Sequence, residues 1–202
     1  MVALQILHHI LQRQHLAVVS ALLTAACVVP YLRDIYRGET RPQRVSWFIY
    51  ALLSVVAAVP QFISGDHAGA YLATGSAIGF TAVFIASIRH GEGGASRLDR
   101  LSLGLASLGV VLSIVVDQPM IAVIAVVVAE QLATFLTVAK ASRDPSSETA
   151  ITWAMDGLAG VSAIAAVASF SPAELLYPIH HTCVNVFVLS AITRGRRRSL
   201  AV

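Results

Sequence analysis

Charge is what this sequence has least of. Only 12% of its 202 residues are Asp, Glu, Lys or Arg, about half of what a water-soluble domain carries. Hydrophobic residues make up 56%, with a mean hydropathy of +0.74, more apolar surface than a water-soluble fold can hide. Lysine is nearly missing: Lys140 stands alone beside thirteen arginines. There is no alternating polar and apolar pattern of the kind a transmembrane barrel needs. Nor do the basic residues form a continuous surface, so the net charge of +3 and pI near 9.2 do not point to nucleic acid. Cys27 and Cys183 fall inside apolar runs without metal-ligand spacing and read as small apolar side chains. No Ser-His, Cys-His or paired-carboxylate arrangement suggests an enzyme, and nothing calls for a cofactor. Residues 1–14 lack the charged start, long apolar core and small-residue cleavage site of a removed signal peptide, and read as an interfacial helical lead-in.

What the sequence does have is apolar blocks of about 20 residues, each matched to one bilayer thickness. Lipid offers no partner to backbone N–H and C=O groups, so each block is expected to be helical. The spans read as 15–36, 45–64, 68–88, 98–116, 118–141, 149–170 and 174–194. This is an all-α membrane protein with seven transmembrane helices. Short turns at Gly65-Asp66-His67, Val116-Asp117-Gln118-Pro119 and Ser171-Pro172 fall on one side. The other side takes thirteen of the fourteen Lys and Arg residues, including Arg33, Arg37, Arg41, Arg44, Lys140, Arg143 and the tail Arg194, Arg196, Arg197 and Arg198. By the positive-inside rule that side is cytoplasmic. The expected location is the cell membrane, multi-pass, with the N-terminus outside and the tail inside. The tail RGRRR reads first as an anchor for the last span, and second as a binder of anionic lipid.

Shifting the sequence by 106 residues lays Arg37 on Arg143, Ser46-Trp47 on Thr152-Trp153 and Tyr71 on Tyr177 without gaps, though identities are otherwise few. The shift superimposes spans one to three on spans five to seven and leaves span four unpaired, a parallel 3+1+3 repeat. The organisation is therefore a lead-in at 1–14, a first three-helix repeat at 15–88, a linker with span four at 89–117, a second repeat at 118–194 and a basic tail at 195–202. Trp47 and Trp153, the only tryptophans, are expected at the headgroup level.

The run PYLRDIYRGETRPQRVSWFIYALLS, with Pro30, Tyr31, Asp34, Ile35, Gly38, Thr40, Pro42, Ser46 and Trp47 in the pattern P-Y-x-x-D-I-x-x-G-x-T-x-P-x-x-x-S-W, resembles the PQ-loop and SWEET superfamily of small transporters. It is most similar to a bacterial branch of seven-helix proteins. The resemblance implies a carrier with its cavity between two triplets. The superfamily's Pro-Gln pair is Pro30-Tyr31 here, and the second repeat has Leu136-Thr137 where a proline is expected.

Polar groups inside lipid cost about 2.5–3.5 kcal/mol each on insertion scales, so each needs a reason. Glu130, mid-span five, reads either as a solute or proton site or as a buried hydrogen-bonding group. Asp156, two turns into span six, lies within reach of water or a loop arginine and reads as a gating, pairing or substrate residue. Asn185, mid-span seven, matches the sugar-contacting asparagine of SWEET carriers by the resemblance. Its counterpart in the first repeat is Gly79. Pro30, Tyr31, Gln61, Trp47 and Trp153 are candidates for gating or the interface between repeats. His180 and His181 diverge by about 100° on a helix and cannot share one metal ion, so no metal site is expected. The reading that follows is a small-solute transporter or facilitator working by alternating access, with the bilayer and a small polar solute as partners. A non-transporting receptor, scaffold or assembly factor is the alternative, and homo-oligomerisation stays open.

Overall fold

The computed structural model describes the chain at residues 2–64, 67–94, 96–115 and 119–199. Among these the architecture is all-helical, with one isolated bridge between Gln43 and Glu92 in place of any strand. The turns expected at Gly65-Asp66 and Val116-Asp117-Gln118 lie outside the described residues, as does the end of the basic tail.

The first span divides into α1 (Val2–Ala26) and α2 (Val28–Tyr36). Pro30 has no N–H for the carbonyl of Ala26, and its ring crowds that carbonyl, so the helix breaks one turn before it. No boundary separates the lead-in from the span: α1 runs unbroken from Val2. Then follow α3 (Arg44–Ser64), α4 (His67–His90), α5 (Arg97–Val115), α6 (Pro119–Arg143), a 3-10 turn at Pro145–Ser147, α7 (Ala150–Ala166) and α8 (Pro172–Ser199). In that turn the Ser146 hydroxyl holds the Asp144 carboxyl below the usual range. Among the described residues five helical stretches are long and apolar enough to cross a membrane: Gln12–Tyr36, Arg44–Ile63, His67–His90, Val123–Arg143 and Glu174–Arg198; α5, read from the sequence as the fourth span, is not one of them. Helix α7 is apolar but shorter, ending at Ala166 where the sequence reading carried it to 170. Beyond it the N–H groups of Ala168 and Ser169 are taken by Glu174 Oε2 at 3.0 and 2.9 Å, so the chain leaves the helix with its donors satisfied. At about 1.5 Å per residue, the 28 residues of α8 extend roughly 42 Å, and its arginine-bearing end outruns a hydrocarbon core of about 30 Å.

Taken in chain order, α1 to α4 are a first set of helices and α6 to α8 a second. Helix α4 packs against both α1 and α3, and α8 against both α6 and α7. Between the sets α1 meets α7 and α3 meets α6. Glycine permits the closest approach: a Cβ on Gly75 would lie 2.4 Å from the carbonyl oxygen of Ala21 and 2.5 Å from Thr24 Cγ2. Helix α5 packs on α6 and α3. Its start is held by a reciprocal cap in which the Asp99 N–H donates to Ser96 Oγ and the Ser96 N–H to Asp99 Oδ2, both at 3.0 Å. Gln43 Nε2 donates to the other Asp99 oxygen at 2.7 Å, fixing α5 to the foot of α3.

Cys27 is fully buried and Cys183 exposed on α8.

Candidate functional site

The PYLRDI…SW run forms a joint between the two sets. Gly38, at φ +75, ends α2 in a conformation open to glycine, and the Gly38 and Glu39 N–H groups bond back to Ile35 and Asp34. Thr149 Oγ1 donates to Asp34 Oδ2 at 2.8 Å and lies 2.8 Å from Thr40 Oγ1. Ser46 Oγ donates to the Ala133 carbonyl at 2.8 Å. Each of these bonds crosses from one set to the other.

At the same level Lys140 and Glu148 form a buried ion pair, Nζ to Oε1 at 2.7 Å. The ammonium also donates to the carbonyls of Ser147 and Arg41. The second carboxylate oxygen accepts from Tyr31 Oη at 3.0 Å and Trp153 Nε1 at 2.9 Å, and Trp47 Nε1 donates to Tyr31 Oη at 3.2 Å. Lys140 is therefore no loop cation facing water, as its position in the sequence suggested. It sits 2% exposed, and the ion pair is what makes that burial tolerable. The tryptophans also depart from expectation. Rather than lying at the headgroups, Trp47 and Trp153 face each other inside the bundle with ring centroids 5.7 Å apart, and Tyr50 and Phe80 pack on Trp47. Their N–H groups find partners in the joint, which removes the reason for an indole to seek the water interface.

Beyond the aromatic layer lie two carboxylate–imidazole pairs. Asp156 Oδ1 accepts from Thr24 Oγ1, across the α1–α7 contact. Its other oxygen accepts from Asn185 Nδ2 at 2.9 Å and lies 3.0 Å from His181 Nε2. Glu130 Oε2 lies 2.9 Å from His180 Nε2, whose Nδ1 is 2.9 Å from Gln131 Nε2. The partner of Asp156 is thus a histidine within the bundle rather than water or a loop arginine. Neighbouring histidines on α8 turn to different carboxylates on different helices, as their angular divergence requires. Asn185 Nδ2 also bonds the His181 carbonyl, while Asn185 Oδ1, in a side chain 1% exposed, has no hydrogen-bond partner among the described residues.

A cavity joins the two layers, lined by Trp47, Tyr50, Phe80, Glu130, Trp153, Asp156 and His181 among others. It is a narrow space of about 310 Å³, with room for about one water. Trp47 and Trp153 form part of its wall, and Ala17, Ala68, Ala166 and Val167 pack in a separate apolar cluster. Gln61 stands apart from this cavity, its amide donating to the Ala57 carbonyl of its own helix at 2.8 Å. Pro30 acts at a distance, through the break that orients Tyr31. Among the described residues no three His, Cys, Asp or Glu side chains converge as a metal-binding group.

Sequence reasoning brought Glu130 and Asp156 forward on the cost of burying charge, and Asn185 on the resemblance to the SWEET carriers. It set His180 and His181 aside as an implausible metal pair, although two imidazoles and two carboxylates at comparable depth are the signal that could have paired them. Comparison of the chain with protein-family models, with curated proteins and with solved structures gave no match to any of them.

Proposed function

We infer that this chain is a seven-span carrier or facilitator for a small polar solute, of the PQ-loop and SWEET type its first-repeat signature resembles. The two three-helix sets rock against each other about this cavity in alternating access. In this reading the arginine-rich end is cytoplasmic in the cell membrane and the N-terminus is outside. One observation carries it: the costliest side chains in the apolar spans, Glu130 and Asp156, border the same small cavity at the meeting of the two sets. Asn185 is not part of the cavity wall but holds Asp156 in place, so a solute hydroxyl or amine entering there finds a carboxylate and an imidazole. The carboxylate–imidazole pairs can also hold and release a proton, which allows coupling to a pH gradient.

Uptake into proteoliposomes, screened over sugars, amino acids and small amines with and without an imposed pH gradient, tests this. Asp156→Asn keeps the shape and removes the charge; uptake should fall by about tenfold or more, as for loss of a buried charged contact of about 1.5–3 kcal/mol, while the protein stays folded. Unchanged uptake in Asp156→Asn and in Glu130→Gln would remove both from the site. The tightness of the cavity favours a second reading, a non-transporting membrane scaffold, and a wild-type chain that carries none of the screened solutes supports it.

A further inference from the structure

On the outer face of the second set a groove of about 540 Å³ runs between α6 and α8. Phe135, Val138 and Phe187 wall its inner stretch, with Gln131, Thr134 and Ser190 among them, and its end at the arginine-rich side carries Arg194 and Arg198. From Gln131 to Ser142 along α6, and from Val186 to Arg198 along α8, the lining residues extend about 16–18 Å at 1.5 Å per residue. That is roughly one leaflet of a hydrocarbon core about 30 Å thick. Arg194 and Arg198 are four residues apart, so both guanidinium groups fall on the same face of α8. No carboxylate is among the groove's lining residues, and both arginines are exposed. A channel one leaflet deep, more apolar than polar and uncharged below two forked cations, has the polarity of a phospholipid: acyl chain below, phosphate above.

We propose that this groove is a binding site for one anionic glycerophospholipid, its headgroup phosphate held by Arg194 and Arg198 and an acyl chain lying along Phe135, Val138 and Phe187. The proposal rests on the chain spanning a bilayer but not on its carrying a solute, and its readout is independent of uptake. What separates a site from general anchoring by a basic tail is position. Arg196 and Arg197 belong to the same tail and carry the same charge but do not line the groove. Anchoring by charge alone treats the four arginines alike; the groove does not.

The test is native mass spectrometry of the full chain released from detergent after incubation with phosphatidylglycerol or phosphatidylcholine of the same acyl chains, with glycerol phosphate as a headgroup-only control. The wild-type chain should retain one phosphatidylglycerol in preference to phosphatidylcholine and no glycerol phosphate. In R194Q/R198Q retention should weaken roughly 30-fold, from about fivefold for each arginine near an anionic surface, while R196Q/R197Q should keep nearly all of it. A Ser190→Trp variant, which fills the groove and leaves every charge in place, should also lose the lipid. Equal losses in the two arginine pairs, equal retention of the two lipids, capture of glycerol phosphate alone, or a second copy of the chain in the groove in place of lipid would each overturn the proposal.

Discussion

The two helical sets meet at equivalent positions but carry different chemistry. At the 106-residue shift, Thr24 corresponds to Glu130, Asp34 to Lys140, Tyr50 to Asp156, Gly75 to His181 and Gly79 to Asn185. The second set holds the buried pairs of titratable side chains; apart from Asp34, the first supplies hydroxyls, a tyrosine and glycines. As a result, the buried pairs Lys140–Glu148, Glu130–His180 and Asp156–His181 each close within the second set. Apart from the Lys140 bond to the Arg41 carbonyl, the side-chain links across the sets come mostly from hydroxyls: Thr24, Tyr31, Ser46, Tyr50 and Thr149. Parting a hydroxyl bond costs about 1 kcal/mol net, whereas stranding one partner of a buried ion pair costs about 3–5 kcal/mol. Under the proposed alternating access, parting the sets would leave each of these pairs intact, which a two-sided carrier needs and a static scaffold does not.

Breaking an ion pair inside the second set should have the largest effect. Lys140→Met leaves the Glu148 carboxylate 1% exposed beside Tyr31 and Trp153, and thermal unfolding in detergent should show a loss of about 3–5 kcal/mol. Adding Glu148→Gln to that variant should recover much of it; no recovery would mean that the stabilisation lies in the Lys140 carbonyl contacts instead. Next comes the close packing of the first set. Gly75→Ala pushes a methyl against the Ala21 carbonyl and Thr24 and should destabilise by about 1–3 kcal/mol. Because Thr24 holds Asp156, this change should also disturb the second set's site, seen as a shift in the solute or proton dependence of any uptake. The smallest effect belongs to the cross-set hydroxyls. Ser46→Ala should lower stability by about 1 kcal/mol, and a loss as large as that of Lys140→Met would erase the contrast between the sets.

Apolar runs were legible because length and composition alone decide whether a helix can cross lipid. The break before Pro30 and the turn at Gly38 follow from residues whose backbone chemistry is local. Side-chain direction was not legible. Nothing in the spacing tells an indole facing headgroups from one facing a second indole 106 residues away, so Trp47 and Trp153 were misplaced. Lys140 was counted with the loop arginines because its partner, Glu148, lies beyond a turn whose path the sequence does not give. His181 and Asp156 are 25 positions apart on different helices, and only tertiary packing brings them together. The α5 cap at Ser96 and Asp99 has the Ser-x-x-Asp spacing of a capping box, a local signal that the sequence carries.

The unequal setting of the two thiols gives the molecule a built-in reporter. Cys183 faces outward two residues beyond His181, while Cys27 is sealed at the helix break. Because only the thiolate reacts, a maleimide added to the chain in detergent at alkaline pH should modify Cys183 ahead of Cys27, one sulfur per chain without any engineering. A fluorophore placed there would sit on the same helix as both imidazoles and register any rotation of α8, so the motion inferred from packing becomes a change in emission in the otherwise native sequence.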